Sequence, residues 1–139
     1  MPGASPDVSR GFAVTLQPRG SGLAAEGLAC RHLEDEGFSI EARNYRSGAG
    51  EIDIVARKEN LLLFVEVRFR EDVVFGTPED TVDKRKRLRV AAAARDYLTD
   101  APPGSWDEAR FDVIVIEGTG GQSLLRHYPA AFDARGKVL

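Results

Sequence analysis

Gly50-Glu51-Ile52-Asp53-Ile54-Val55 and, a short turn later, Leu63-Phe64-Val65-Glu66-Val67-Arg68 decide how this chain is read. Both are short apolar runs of strand character. Each carries a carboxylate where a strand should bury only hydrocarbon. An ionised carboxylate in an apolar place is costly unless something pairs with it. Two of them on neighbouring strands suggest a cation between them. Asp53 and Glu66 are therefore the first candidates for chemistry.

Working outward, residues 51–56 alternate, with Ile52, Ile54 and Ala56 expected on one side and Glu51, Asp53 and Val55 on the other. Lys58-Glu59-Asn60 turns the chain back, and 61–70 follows as a strand. So short a connection favours an antiparallel hairpin. Before it, Ser47-Gly48-Ala49-Gly50 is a turn and 38–45 a first strand. Residues 21–36 read as a helix, with Ala25, Leu28, Ala29 and Leu33 at helical spacing and Gly37 as its stop.

Thr77-Pro78-Glu79-Asp80 has the chemistry of a helix start: a cap, a proline for the first turn, and acids for the positive end of the dipole. This second helix is expected to reach Leu98, before Ala101-Pro102-Pro103-Gly104 breaks it. Residues 110–116 and 123–128 are further strands, separated by a turn at 118–121. The order is helix, three strands, helix, two strands. That is a single α/β domain with a mixed five-stranded sheet over 21–139, preceded by a flexible tail over 1–20.

With 139 residues the chain suffices for one domain with a real core. Hydrophobic residues make up 42% and charged residues 29%, as a soluble globular protein requires. A formal net charge of −3 excludes a globally basic nucleic-acid binder, so any such binding must come from a local patch. The one cysteine, Cys30, excludes an intrachain disulfide and fits a reducing compartment. No apolar run approaches the roughly 20 residues of a membrane span, and the first 20 residues lack the apolar centre of a signal peptide. A cytoplasmic location and no membrane partner are expected.

Side chains at alternate positions share a strand face. Glu66 therefore shares its face with Leu62, Phe64, Arg68 and Arg70. If the two strands pair with these faces on the same side, Asp53, Glu66 and Arg68 converge. Carboxylate oxygens with open positions for water suit Mg2+ or Mn2+. The plainer alternative is that Glu66 pairs with Arg68 or Arg70 on a solvent-facing sheet side, as alternation in antiparallel strands allows. Glu26 is a third acid, placed on the apolar stripe of the first helix. It is either a ligand or an edge residue with its head in water.

Lys84-Arg85-Lys86-Arg87-Leu88-Arg89 is a dense basic run. Lys86 is its unusual member, because Val82, Val90, Ala93 and Tyr97 lie on its helical face. It is a candidate to reach from the core side toward the carboxylates. Lys84, Arg85, Arg87 and Arg89, with Arg70, are candidates to hold phosphates. The alternative is a solvated helix face with snorkelling lysines. His32 and His127 have no partner at metal-ligand spacing and read as surface or satisfied histidines. Gly118-Thr119-Gly120-Gly121 lacks the lysine of a phosphate-binding loop and reads as a hairpin turn.

Taken together, these residues resemble the YraN family of small bacterial proteins. The matching pieces are Glu26, Asn44, Gly50-Glu51-Ile52-Asp53, Phe64 to Arg70, Lys86 with Ala94 and Tyr97-Leu98, Arg110-Phe111-Asp112-Val113, and Ala131-Phe132. The resemblance implies a restriction-endonuclease-like fold, related to Holliday-junction resolvases, with helices flanking the central sheet. It also implies a nuclease-type site of the form Asp, then Glu-x-Lys. Asp53 and Glu66 match the metal-binding acids, and Glu26 matches the helix acid. Arg68 falls where the wider superfamily usually has lysine. Arginine keeps the charge but does not readily give up its proton, so it suits stabilising a phosphate better than acting as a general base.

The expectation is a nuclease-like protein that acts on or binds DNA, including branched DNA. Mg2+ or Mn2+ at Asp53 and Glu66, helped by Glu26, would activate a water, while Arg68 and Lys86 offset developing charge. The competing expectations are a non-catalytic nucleic-acid-binding module with a relic site and an interaction protein that touches no nucleic acid. Junction substrates have two-fold symmetry, which would suit a homodimer.

Overall fold

The computed structural model describes residues 12–16, 25–70, 83–119 and 122–139. The elements are β1 (Phe12–Leu16), α1 (Ala25–Asp35), β2 (Ser39–Ser47), β3 (Gly50–Lys58), β4 (Leu61–Arg70), α2 (Lys84–Asp100), β5 (Glu108–Thr119) and β6 (Gln122–Phe132). They form one α/β domain. Its mixed sheet has the order β1-β6-β5-β4-β3-β2, in which β4 and β5 are parallel and the other neighbours antiparallel. The antiparallel β3–β4 hairpin forms as its short turn demands, with Val55 opposite Phe64.

The sheet has six strands among the described residues, one more than the sequence pattern suggests. The extra strand, Phe12–Leu16, lies in the stretch read as a tail and forms the sheet edge by pairing with β6. Its partner is more than a hundred residues away in the chain, so nothing local announces it. The second helix also differs. Its N-cap is Asp83, whose carboxylate accepts the Lys86 N–H at 2.9 Å. Thr77-Pro78-Glu79-Asp80, the expected start, lies outside the described residues, as do 21–24 at the start of the first helix. Gly37 ends α1 as expected, in a left-handed conformation (φ 97°) with its N–H donated to Glu34 O.

A buried layer lies on each face of the sheet. On one side α2 packs Val90, Ala91, Ala93 and Ala94 over Val55, Leu62, Phe64, Phe111, Val113 and Val115. On the other, α1 packs Leu28, Ala29 and Leu33 over Ile54, Ala56, Leu63, Val65, Ile114 and Ile116. Alternation along β4 and β5 sorts these residues cleanly.

Strand β3 breaks the rule at one place. Ile52 packs with Val55 on the α2 side, while Ile54 is on the α1 side. The expected grouping of Ile52 with Ile54 and Ala56 is thus corrected. The register puts Asn44 opposite Asp53, and Asn44 has a left-handed backbone (φ 53°). Asparagine tolerates that conformation better than most residues. The irregularity turns β3 over, and Asp53 sits at the turning point.

Candidate metal and nucleic-acid site

Asp53 and Glu66 occupy the place where the β3–β4 ladder stops. The last paired rung there is Ile54 with Val65, and the next rung would be Asp53 with Glu66. Side chains replace the backbone bonds at this point. The Asp53 carboxylate accepts the Val67 N–H at 2.9 Å, and the Glu66 carboxylate accepts the Asp53 N–H at 3.3 Å. Each acid thereby satisfies a backbone donor that the opened ladder leaves without its partner.

Glu66 is fully buried, so it is not on a solvent-facing side. Its neighbours Leu62 and Phe64 are buried with it, under α2. Lys86 reaches in from α2, with Nζ 3.2 Å from Glu66 Oε1. The stripe of Val90, Ala93 and Tyr97 on that helix face carries it there. At that distance the ammonium is a charged partner for the buried carboxylate. Burial and the Asp53 charge push the Glu66 carboxyl up to about 7, against the pull of Lys86. Burial likewise raises Asp53, against the Val67 N–H and Lys86.

The other sequence candidates divide. Glu26 on α1 is near enough for its charge to act on Asp53, but its carboxylate pairs with Arg43 at 3.8 Å. Arg68 is exposed and makes no hydrogen bond or ion pair among the described residues; alternation along β4 puts it on the face of Glu66, one row further on. Lys84, Arg85 and Arg89 are exposed on α2. Arg87 is turned to the C-terminal segment, donating to Gly136 O at 2.7 Å. The side chain of Arg70 lies outside the described residues.

Gly50 places α2. A Cβ there would overlap the Arg89 carbonyl oxygen, so helix backbone rests directly on the start of β3. Arg89 is one helical turn from Lys86. The close approach therefore sets how far Lys86 reaches toward Glu66.

Among the described residues, no group of three or more His, Cys, Asp or Glu side chains is arranged to hold a metal. The pair of carboxylates nonetheless fits a hard divalent cation. Their oxygens are the donors that Mg2+ and Mn2+ take, and Glu66 Oε1 is held by a lysine that a cation can displace. Asp53 and Glu66 would hold the ion, with Glu26 available once it leaves Arg43.

A second buried polar cluster escaped the sequence reading. His32 Nε2 lies 2.9 Å from His127 Nδ1, and His127 Nε2 lies 2.7 Å from Asp112 Oδ2. Arg110 donates Nε and Nη2 to the two Asp112 oxygens, both at 2.9 Å, and Ala130 N–H adds a bond to Oδ1 at 3.1 Å. Burial opposes ionisation of Asp112, but the hydrogen bonds from His127 and Arg110 prevail and lower its pKa. The histidines are thus satisfied ones, as one of the two sequence readings has it. The available signal was Asp112 itself, an acid inside the strand Phe111-Asp112-Val113-Ile114.

The fold and site define a class: a small α/β protein with an acid pair at the open end of a strand ladder and a lysine against it. The chain belongs to the family described as "Uncharacterised protein family UPF0102", whose family model matches residues 25–116. This is the YraN family that the motifs resemble. A UPF0102 protein of Anaeromyxobacter dehalogenans is 42% identical over 117 residues, covering 84% of this chain and 86% of the relative. One of Myxococcus xanthus is 39% identical over 122 residues, covering 88% and 96%. One of Syntrophotalea carbinolica is 36% identical over 123 residues, covering 88% and 99%. Among the described residues no helix is long and apolar enough to cross a membrane.

Proposed function

We propose that this protein is a divalent-metal-dependent nuclease-like protein that acts on or binds DNA, branched DNA included. The observation that carries the reading is the meeting of Asp53 and the fully buried Glu66 at the end of the β3–β4 ladder, with the Lys86 ammonium against Glu66 Oε1. A cation bound there would supply an acidic water and neutralise charge on a phosphoryl oxygen. Asp53 and Glu66 are the groups that hold it. Lys86 stabilises the ionised form of Glu66 and offers positive charge as a phosphorane develops. Arg68, exposed one row further along β4, receives the substrate phosphate. The resemblance to junction-resolving nucleases supports the same reading, with a homodimer and a cytoplasmic setting as its natural context.

One observation favours a second reading, a DNA-binding module without cleavage. Lys86 already balances Glu66 within the fold, and arginine stands where a lysine base would be.

The deciding experiment is a cleavage panel of linear, flapped and four-way DNA with Mg2+ and Mn2+. The reading expects metal-dependent cutting that Asp53→Ala and Glu66→Ala each abolish while the fold persists. Undiminished cutting by both variants overturns it. Binding without cutting by the wild type selects the second reading.

A further inference from the structure

Arg126 lies on β6, beyond the stretch that the family model matches. Strand register ties it to the acid site. Arg68 pairs with Val115 across β4–β5, and Val115 pairs with Arg126 across β5–β6. Directly opposed residues project from the same face of a sheet. Val115 is part of the layer under α2, so Arg68 and Arg126 belong to that face. The preceding row on the same face is Glu66, Val113 and Tyr128. Two guanidinium groups therefore stand one row beyond the acid pair. With one strand between them, their Cα atoms are about 10 Å apart.

The two arginines are held differently. Arg68 is exposed and unpaired among the described residues. Arg126 donates Nε to Glu117 Oε1 at 3.2 Å, and that glutamate side chain is only 8% exposed, against 43% for the arginine. The buried acid fixes the inner edge of the guanidinium. Its two terminal nitrogens make no hydrogen bond among the described residues. A guanidinium so oriented presents its fork to an oxyanion, and phosphate fits that fork bidentately.

We propose that Arg126 is a second phosphate-contacting residue, acting with Arg68 as a two-cation clamp on the nucleic-acid backbone next to the acid pair. This inference rests on the nucleic-acid reading above and extends it to a residue on another strand. A phosphodiester at Asp53 and Glu66 leaves the neighbouring phosphates of the same strand over the row of Arg68 and Arg126. Glu117 is a positioning residue for that contact. In a protein of net charge −3, two adjacent cations of this kind are the local patch that backbone binding requires.

The test is anisotropy of labelled duplex and four-way DNA between 50 and 200 mM salt, in EDTA so that nothing is cut. Full-length wild type is compared with Arg68→Ala, Arg126→Ala and Arg126→Lys. One lost phosphate contact lowers the slope of log affinity against log salt by about 0.9 and weakens binding about eightfold near 100 mM. Arg126→Ala is expected to show that loss, and Arg126→Lys to recover part of it. Thermal melting of each variant confirms the fold. If Arg68→Ala lowers the slope and a folded Arg126→Ala does not, the clamp is overturned and the nucleic-acid reading stands. If the wild type binds neither DNA, the reading itself fails, and this inference with it.

Discussion

The Glu66 carboxylate accepts the Asp53 N–H at 3.3 Å, while the Asp53 carboxylate takes the Val67 N–H of the opposite strand at 2.9 Å. The two acids therefore stand in for the strand ladder at the point where it ends. This gives them a structural duty as well as a chemical one. An unpaired carboxylate in such a place would be expelled or protonated. Here the carboxylates are held by main-chain donors and by Lys86.

Glu66 sets a pH dependence of stability. Its carboxyl is raised to about 7 in the fold, first by burial and then by Asp53, from an ordinary 4.5. Between those values the folded chain holds a proton that the unfolded chain has lost, so stability falls as pH rises through that window. The full loss is on the order of 3 kcal/mol above pH 7. Glu66→Gln is expected to remove this component. Urea unfolding in EDTA at pH 5 and pH 8 checks it. The variant should gain on the wild type at pH 8, and an identical difference at both pH values contradicts the assignment.

Lys86→Met probes the other half of the pair. Its loss leaves Glu66 with Asp53 as its nearest charge, so the Glu66 carboxyl rises further. At pH 8, where Glu66 is ionised, the variant is expected to lose about 1–2 kcal/mol, and at pH 5 little. An equal loss at both pH values would mean that Lys86 acts only through the packing of its aliphatic stem.

How much of this was legible follows from where each signal lies in the chain. Glu66 stood out because it shares a face with Leu62 and Phe64, and Lys86 because it shares one with Val90 and Ala93. Both are local periodicities, and both led to buried or half-buried groups. The hairpin was legible for the same reason. The reversal at Asp53 was not, because it depends on the left-handed backbone of Asn44 on another strand. Glu26 was legible as an odd acid, but its partner Arg43 was not. The contact between His32 and His127 spans 95 residues, and the edge strand Phe12–Leu16 pairs across a similar gap. Pairings of that range leave no mark on local patterning.

Gly50→Ala tests the seat of α2. The added methyl meets the Arg89 carbonyl, and backbone does not yield as a side-chain tip would. The helix must shift, at about 1–3 kcal/mol, and Lys86 moves away from Glu66 with it. Gly48→Ala is the control, because nothing lies within 4 Å of its Cβ position. It should be neutral within about 0.5 kcal/mol. Thermal melting of the two variants side by side gives the comparison. Equal effects would remove Gly50 from its role in seating the helix.

His32 supplies an acid limit to stability that is separate from the acid pair. Burial, and then the neighbouring His127, lower its pKa from 6.5 to about 4 in the fold, with Asp35 pulling the other way. Asp112 is ionised and held by Arg110, so His127 donates Nε2–H to it and accepts at Nδ1 from His32 Nε2–H. Between pH 6.5 and 4 the unfolded chain binds a proton that the folded one refuses. Stability therefore falls on acidification through this window, by about 3 kcal/mol when complete. His32→Leu removes the titrating ring and keeps an apolar group on α1. It costs stability at pH 7, since His127 Nδ1 loses its donor, but its further loss down to pH 4 should be shallower than that of the wild type by about the same 3 kcal/mol. Urea midpoints across the range, measured in a Glu66→Gln background to remove the opposing titration, read this directly. Parallel pH profiles for the two proteins would show that His32 does not carry the acid limit.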